Sequence, residues 1–439
     1  MPVTKCTQES FDFPDIKRRS IEVNFKGGDI TSDGGVLLLR QMDKRLGLSE
    51  AVSKVLRDLR RKASCKHDGL SILRQRVYAL ASGYEDLNDH QQLRNDLAIQ
   101  TAVDRTDVLA SSSTLCRWEN RSDRQVAWGI HEVMADQFIA SFDDIPKELI
   151  LDFDATDDSV HGKQEGRSFN GYYDHYCFLP LYVFCQDQLL VSYLRPSNVD
   201  GAKHAWAILS LLVRRLRESW PQVKIIFRGD SGFCRHKMLT WCERHDVGYI
   251  VGIAQNKRLN ALAARWQQTS EKSFSESGAK VRRFNECQYA AKSWRRLRRI
   301  IVKTEHTEKG SNTRYVVTNL EGKPQSLYDK LYCARGDMEN RIKEQQLDLF
   351  ADRTSCHHWW PNQFRLLLSS LAYILLESIR RLALQGTELA HVYVGTLRLK
   401  LIKTGAVILR NTRRIRFLLS GACPNQKLFF HVAEKLAPG

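Results

Sequence analysis

Two short stretches constrain this chain more than anything else in it. Leu151-Asp-Phe-Asp-Ala-Thr156 and Phe227-Arg-Gly-Asp-Ser-Gly-Phe233 each carry apolar residues into an acidic one and then into small, turn-forming residues. A strand that ends on a carboxylate puts it at the carboxyl edge of the sheet, where open α/β sheets gather their ligands. Asp152 and Asp154 are two apart and project from one strand face. Asp154 lies nearer the end and is followed by Ala155-Thr156, so it is the first choice as a ligand and Asp152 the second; Asp157 and Asp158 read as a solvated loop. Asp230 ends a second apolar strand before a tight Ser231-Gly232 turn. One such Asp alone reads first as a helix N-cap. Two matching placements around one α/β unit favour a site.

A third stretch, Tyr332-Cys-Ala-Arg-Gly-Asp-Met-Glu339, supplies a third carboxylate. Tyr332, Arg335, Glu339, Lys343 and Gln346 follow at steps of 3, 4, 4 and 3, one face of a helix. Such a polar stripe is usually solvated. Here Glu339 would complete a set with Asp154 and Asp230, and the cations would hold phosphate oxygens. Three carboxylates brought together by folding suit two divalent cations, Mg2+ or Mn2+ in its place, set against a phosphodiester.

The texture along the chain divides it in five. Residues 1–145 are extended to about 30 and then helical, with Leu70, Leu73, Val77 and Leu80 at helical spacing. Ser111–Thr114 looks like a helix start that sets Arg117 and Arg121 one turn apart, suited to a DNA groove, or else to an ordinary surface. Residues 146–254 read as strands at Glu148–Phe153, Tyr172–Phe184 and Gln188–Leu194, then a helix at Ala205–Leu216 and a strand at Val223–Phe227. A helix over 233–246 and a strand at Tyr249–Ile253 complete that part. Residues 255–323 break the alternation, with charged helical material and β-like segments at Ile300–Lys303 and Arg314–Thr318. Residues 324–385 are helical again, and 386–439 form a basic helical region. The fold class is α/β: a mixed sheet flanked by helices and interrupted by a β-containing insertion.

Charge narrows the partner. The formal net charge is +17, and from Arg353 onward there are 13 Lys/Arg against three Glu and no Asp. More than half the excess therefore sits in the last fifth of the chain, which points to a polyanion. A second basic run, Lys292 to Arg299, encloses Trp294. The 11 cysteines form no C-x-x-C pair and read as reduced thiols; Cys356-His357-His358 lacks the second cluster a zinc site needs. The start of the chain has no apolar core of a signal peptide, and Leu366–Leu376 is too short to span a bilayer.

The order of the acidic motifs, the β-containing insertion before the last, and Tyr332-x-x-Arg335-x-x-x-Glu339 resemble bacterial insertion-sequence transposases of the DDE type, in particular the tyrosine–arginine–glutamate subgroup. The resemblance implies a ribonuclease H-like core with Asp154, Asp230 and Glu339 as acidic triad and two magnesium ions. It also implies a helical N-terminal region that binds transposon ends, and a homodimer or higher multimer on double-stranded DNA, both ends and target, in the bacterial cytoplasm at the nucleoid. By position, Tyr332 and Arg335 would contact DNA phosphates. Gln346 stands where the motif often has lysine, and Lys343 would substitute. Trp294 would stack on a displaced base while Arg295 and Arg298 hold the backbone; packing of Trp294 in the insertion's own core is the alternative. A nuclease of the same fold and a catalytically dead DNA-binding regulator are the rival readings. All three acids being present counts against the second.

Overall fold

The computed structural model describes residues 10–437 apart from 57, 59 and 62–64. The chain divides into two compact units, one of residues 46–59 and 116–377, the other of 1–45, 60–115 and 378–439.

The larger unit is built on an eight-stranded sheet. In chain order its strands are β1 (Glu148–Ala155), β2 (Leu181–Cys185), β3 (Gln188–Tyr193), β4 (Lys224–Gly229), β5 (Gly248–Ile253), β6 (Val281–Tyr289), β7 (Arg298–Thr307) and β8 (Gly310–Thr318). They lie in the order β6-β7-β8-β5-β4-β1-β2-β3. β1, β4 and β5 run parallel, and the other pairings are antiparallel. The expected strand over Tyr172–Phe184 is two, His175–Phe178 and β2, with Pro180 between them.

Side-chain alternation splits the sheet into two faces. Leu149, Leu151 and Phe153 of β1 join Ile225, Phe227, Tyr249 and Val251 in the main core. Over them lies helix α1 (Ala205–Ser219), whose buried Ala205, Leu209, Leu212, Val213 and Leu216 recur at helical spacing. Phe153 meets Phe227 edge-on at 5.2 Å. The opposite face has a smaller core of Ile226, Ile250, Ile301, Val316, Leu320 and Tyr328. Asp152, Asp154 and Arg228 share the parity of Ile150 and Ile226, so they stand on this second face.

The 255–323 segment contributes α2 (Lys257–Ser277) and three strands that continue the main sheet, because β8 pairs with β5 from Ile250↔Thr318 to Ile253↔Tyr315. β6 escapes the sequence reading. Its Val-Arg-Arg-Phe-Asn-Glu-Cys-Gln-Tyr is charged because it forms the sheet's edge, where charge blocks further strand pairing.

In the smaller unit, helices Val36–Leu46 and Gly69–Ala81 carry a buried Asp43–Arg74 pair, with the Tyr78 hydroxyl donating to Asp43 at 2.6 Å. Gly35 is obligatory: a Cβ there would stand 1.9 Å from the Leu401 carbonyl oxygen. The expectation of a helical 386–439 region is corrected in part. Besides short helical turns over 394–402 and the helix Gln426–Leu436, it holds a hairpin of Ala406–Arg410 and Ile415–Leu419, whose first strand pairs with Ile30–Thr31. Asn411 makes the turn, its side chain accepting from the backbone N–H of Arg413 at 3.0 Å and of Arg414 at 2.8 Å. The high arginine content hid the period-2 pattern. Among the described residues no helix is long and apolar enough to cross a membrane.

Candidate active site

Register places the first two acids side by side. β1 and β4 are parallel with Arg228 opposite Asp152 and Gly229 opposite Phe153, so Asp154 and Asp230 finish neighbouring strands at the same edge. Asp230 also does what an isolated Asp there would do. It caps the turn Ser231–Phe233, accepting from Gly232 N–H at 2.9 Å. The capping and ligand readings are compatible, since the cap engages only one carboxylate oxygen.

Asp152 and Asp154 part company. Asp152 is 2% exposed and forms a two-point ion pair with Arg228, Nη2 to Oδ2 at 2.6 Å and Nε to Oδ1. Asp154 is less enclosed; its Oδ2 faces the Arg335 guanidinium at 3.2 Å. Asp157 and Asp158 are not a solvated loop. Asp158 is buried and accepts from Thr354 at 2.7 Å, while the Asp157 carboxylate meets His175 at 2.9 Å.

The third element is an irregular helical run. It passes from a π turn over Leu327–Tyr332, through a 3-10 turn over Cys333–Arg335, into α3 (Gly336–Lys343) and another π turn at Glu344–Asp348. Such π turns recur at functional sites because they re-aim side chains that a uniform helix would fix. The Tyr332 hydroxyl lies close over β5; a Cβ on Gly252 would come within 2.6 Å of it. Arg335 reaches Glu339 at 2.6 Å as well as Asp154, and so bridges two of the acids. Lys343 is exposed. Gln346 donates to the Asp157 carbonyl at 2.7 Å and thereby ties the run to the loop that follows Asp154.

Burial, reinforced by the charges of Asp230 and Glu339 and opposed by Arg335, pushes the Asp154 carboxyl up to about 6. Burial also raises the Tyr332 phenol. Asp154 thus feels the other two acids across the strand ends, with Arg335 supplying the counter-charge.

The remaining sequence-chosen residues lie elsewhere. Trp294 is 9% exposed, packed on Tyr289 with ring centroids 5.7 Å apart and the Arg298 guanidinium 4.8 Å from its ring. Arg298 is 4% exposed and held at two points by Glu243, at 2.7 and 2.9 Å. Neither offers a face to a base or phosphate in this conformation, because Glu243 holds Arg298 inward and Tyr289 and Arg298 cover the indole. Arg295, Arg117 and Arg121 are exposed; the helix Ser112–Glu119 ends before Arg121. The residue that sequence reasoning passed over is Arg228. Its signal was an arginine inside an otherwise apolar strand.

A family model described as Transposase DDE domain group 1 matches residues 13–438. The chain belongs to this transposase family. Among solved structures, the transposase is similar to the piggyBac transposase in a cryo-EM synaptic complex with hairpin DNA. That similarity is at 11% identity and a TM-score of 0.41, covering 85% of this chain and 80% of that one. Comparison with curated proteins gave no match.

The transposase's acids are hard oxygen donors, the chemistry a divalent cation requires. Among the described residues, however, no three acidic, His or Cys side chains converge closely enough to hold one, and Glu339 is engaged by Arg335. Asp154 and Asp230, at adjacent parallel strand ends, are the two of these acids that the sheet register itself brings together.

Proposed function

We propose that this transposase binds the terminal inverted repeats of an insertion sequence, cuts the ends by divalent-metal-dependent hydrolysis and joins the freed 3′-hydroxyls to target DNA. The observation that carries the reading is the pairing of Asp154 and Asp230 at adjacent parallel strand ends, with the Tyr332–Arg335–Glu339 face beside them. The strand order β3-β2-β1-β4-β5, antiparallel and then parallel, supports a ribonuclease H-like core.

Asp154, Asp230 and Glu339 would hold the cations, Mg2+ in the first instance. When bound, these supply the Lewis acidity that activates water and stabilises the leaving oxygen. Arg335 is placed to turn from the carboxylates to a phosphate oxygen, offering a fork of donors where charge develops. Tyr332, half-buried and protonated, offers a neutral O–H donor beside it. Lys343, Arg295, Arg117 and Arg121 are exposed cations that suit the DNA backbone. Pairing of two transposon ends would call for at least a homodimer.

Incubation of the purified chain with terminal-repeat DNA tests the reading. Cleavage at the repeat boundary with Mg2+ or Mn2+, abolished by chelation, is expected. End binding without cleavage under any divalent cation would favour the regulator.

A further inference from the structure

We infer that Arg228, held by Asp152, is a positioning residue that sets the Tyr332–Glu339 run against Asp154 and Asp230. The inference concerns how the site is assembled, and its activity arm rests on the cleavage reaction proposed above.

Both partners of the pair are enclosed, Arg228 at 6% and Asp152 at 2% exposure. Taking two charges out of water is costly, and an apolar pair of similar volume would serve the core as well or better. The pair therefore needs another reason to be there. Arg228 has donors left over after Asp152 is satisfied. Nη1 donates to the Leu331 carbonyl at 2.5 Å, and Nη2 also reaches the Ala334 carbonyl at 3.4 Å. These carbonyls flank the point where the π turn becomes a 3-10 turn. A change of helical pitch disturbs the regular hydrogen-bond ladder and leaves carbonyls open to an outside donor.

The geometry of this contact is specific. Tyr332 lies between the two gripped carbonyls, and Arg335 follows the second directly. Arg335 then reaches Asp154 and Glu339. A continuous path runs from Asp152 through Arg228 to the helical run and back through Arg335 to Asp154, two residues along the same strand. One guanidinium thus fixes how far the run stands from the strand ends and how it is rotated. Only a planar fork can hold a carboxylate and two carbonyls together; a lysine is a point charge.

Three full-length proteins test this: wild type, Arg228→Lys, and the apolar double variant Asp152→Leu with Arg228→Met. Each is measured for thermal stability, end-DNA binding, single-turnover cleavage and amide hydrogen exchange. The double variant is expected to keep wild-type stability and end binding while cleavage falls about 100-fold, the scale of loss a small misplacement of reacting groups produces. Its amides over 330–340 should exchange faster, with the rest of the sheet unchanged. Arg228→Lys should slow cleavage about tenfold at unchanged binding. A folded double variant that cleaves like wild type, or one whose exchange over 330–340 is unaltered, overturns the inference. Should the double variant fail to fold, Arg228→Lys decides by the same two readouts. A wild-type protein that binds but never cleaves sinks the proposed reaction, and exchange alone then judges the brace.

Discussion

Asp152 and Asp154 stand on one strand face, and substitution should move the protein in opposite directions at the two. Asp152→Asn leaves a buried guanidinium without its counter-charge, a loss of about 3–5 kcal/mol. Asp154 behaves otherwise, since its carboxyl is pushed up to about 6 in the folded chain. A raised carboxyl favours the protonated folded form, so its stabilising contribution is complete in acid and disappears as pH rises through about 6. In chelator, Asp154→Asn should therefore be more stable than wild type at pH 7, by on the order of 2 kcal/mol, with the gap closing towards pH 4. Urea denaturation of both variants across pH 4 to 8 checks this; an Asp154→Asn protein less stable than wild type at pH 7 contradicts it. The place of Asp154 near the end of its strand was legible in the sequence because position along a strand is readable from period and turn residues. The duty of Asp152 was not, because Arg228 lies 76 residues away and only the parallel register pairs them.

At the scale of elements, sequence periodicity marks what is buried on one face and misses what is charged on purpose. β1, β4, β5 and α1 were readable for the first reason. β6 and the 406–419 hairpin were not, one being a charged edge and the other an arginine-rich ribbon. Trp294 belongs to this scale too, because its neighbours Arg295 and Arg296 suggest a solvated surface while Tyr289 and Arg298 enclose it. Trp294→Ala should cost about 3–5 kcal/mol of stability through the cavity it leaves. Thermal melts report this directly, and a variant that melts like wild type but stalls in DNA processing restores the base-stacking role. The hairpin makes a separate prediction. Arg410 is occupied by Gln100 and the Thr106 carbonyl, whereas Arg413, Arg414 and Arg416 are exposed around an ordered turn. Replacing those three by alanine should flatten the dependence of log affinity on log salt by up to about 0.9 per lost phosphate contact on duplex DNA. An unchanged slope makes them a solvated surface.

For the whole molecule, the family match over residues 13–438 and the +17 charge agree on a polyanionic partner. Under the function proposed above, the acids decide whether that partner is cut. The place of Glu339 on a helix was readable from its polar stripe. Its i, i+4 ion pair with Arg335 follows from that same spacing; the reach of Arg335 across to Asp154 was not readable, because 181 residues separate the two and only the fold brings them together. The central claim is that Asp154, Asp230 and Glu339 act as one catalytic set, and single-turnover cleavage of terminal-repeat DNA in Mg2+ tests it most directly. With Asp154→Asn, Asp230→Asn and Glu339→Gln, each alone, cleavage should fall by about 1,000-fold or more while end binding stays at the wild-type level. Near-wild-type cleavage by any one of the three, at unchanged binding, would contradict the account.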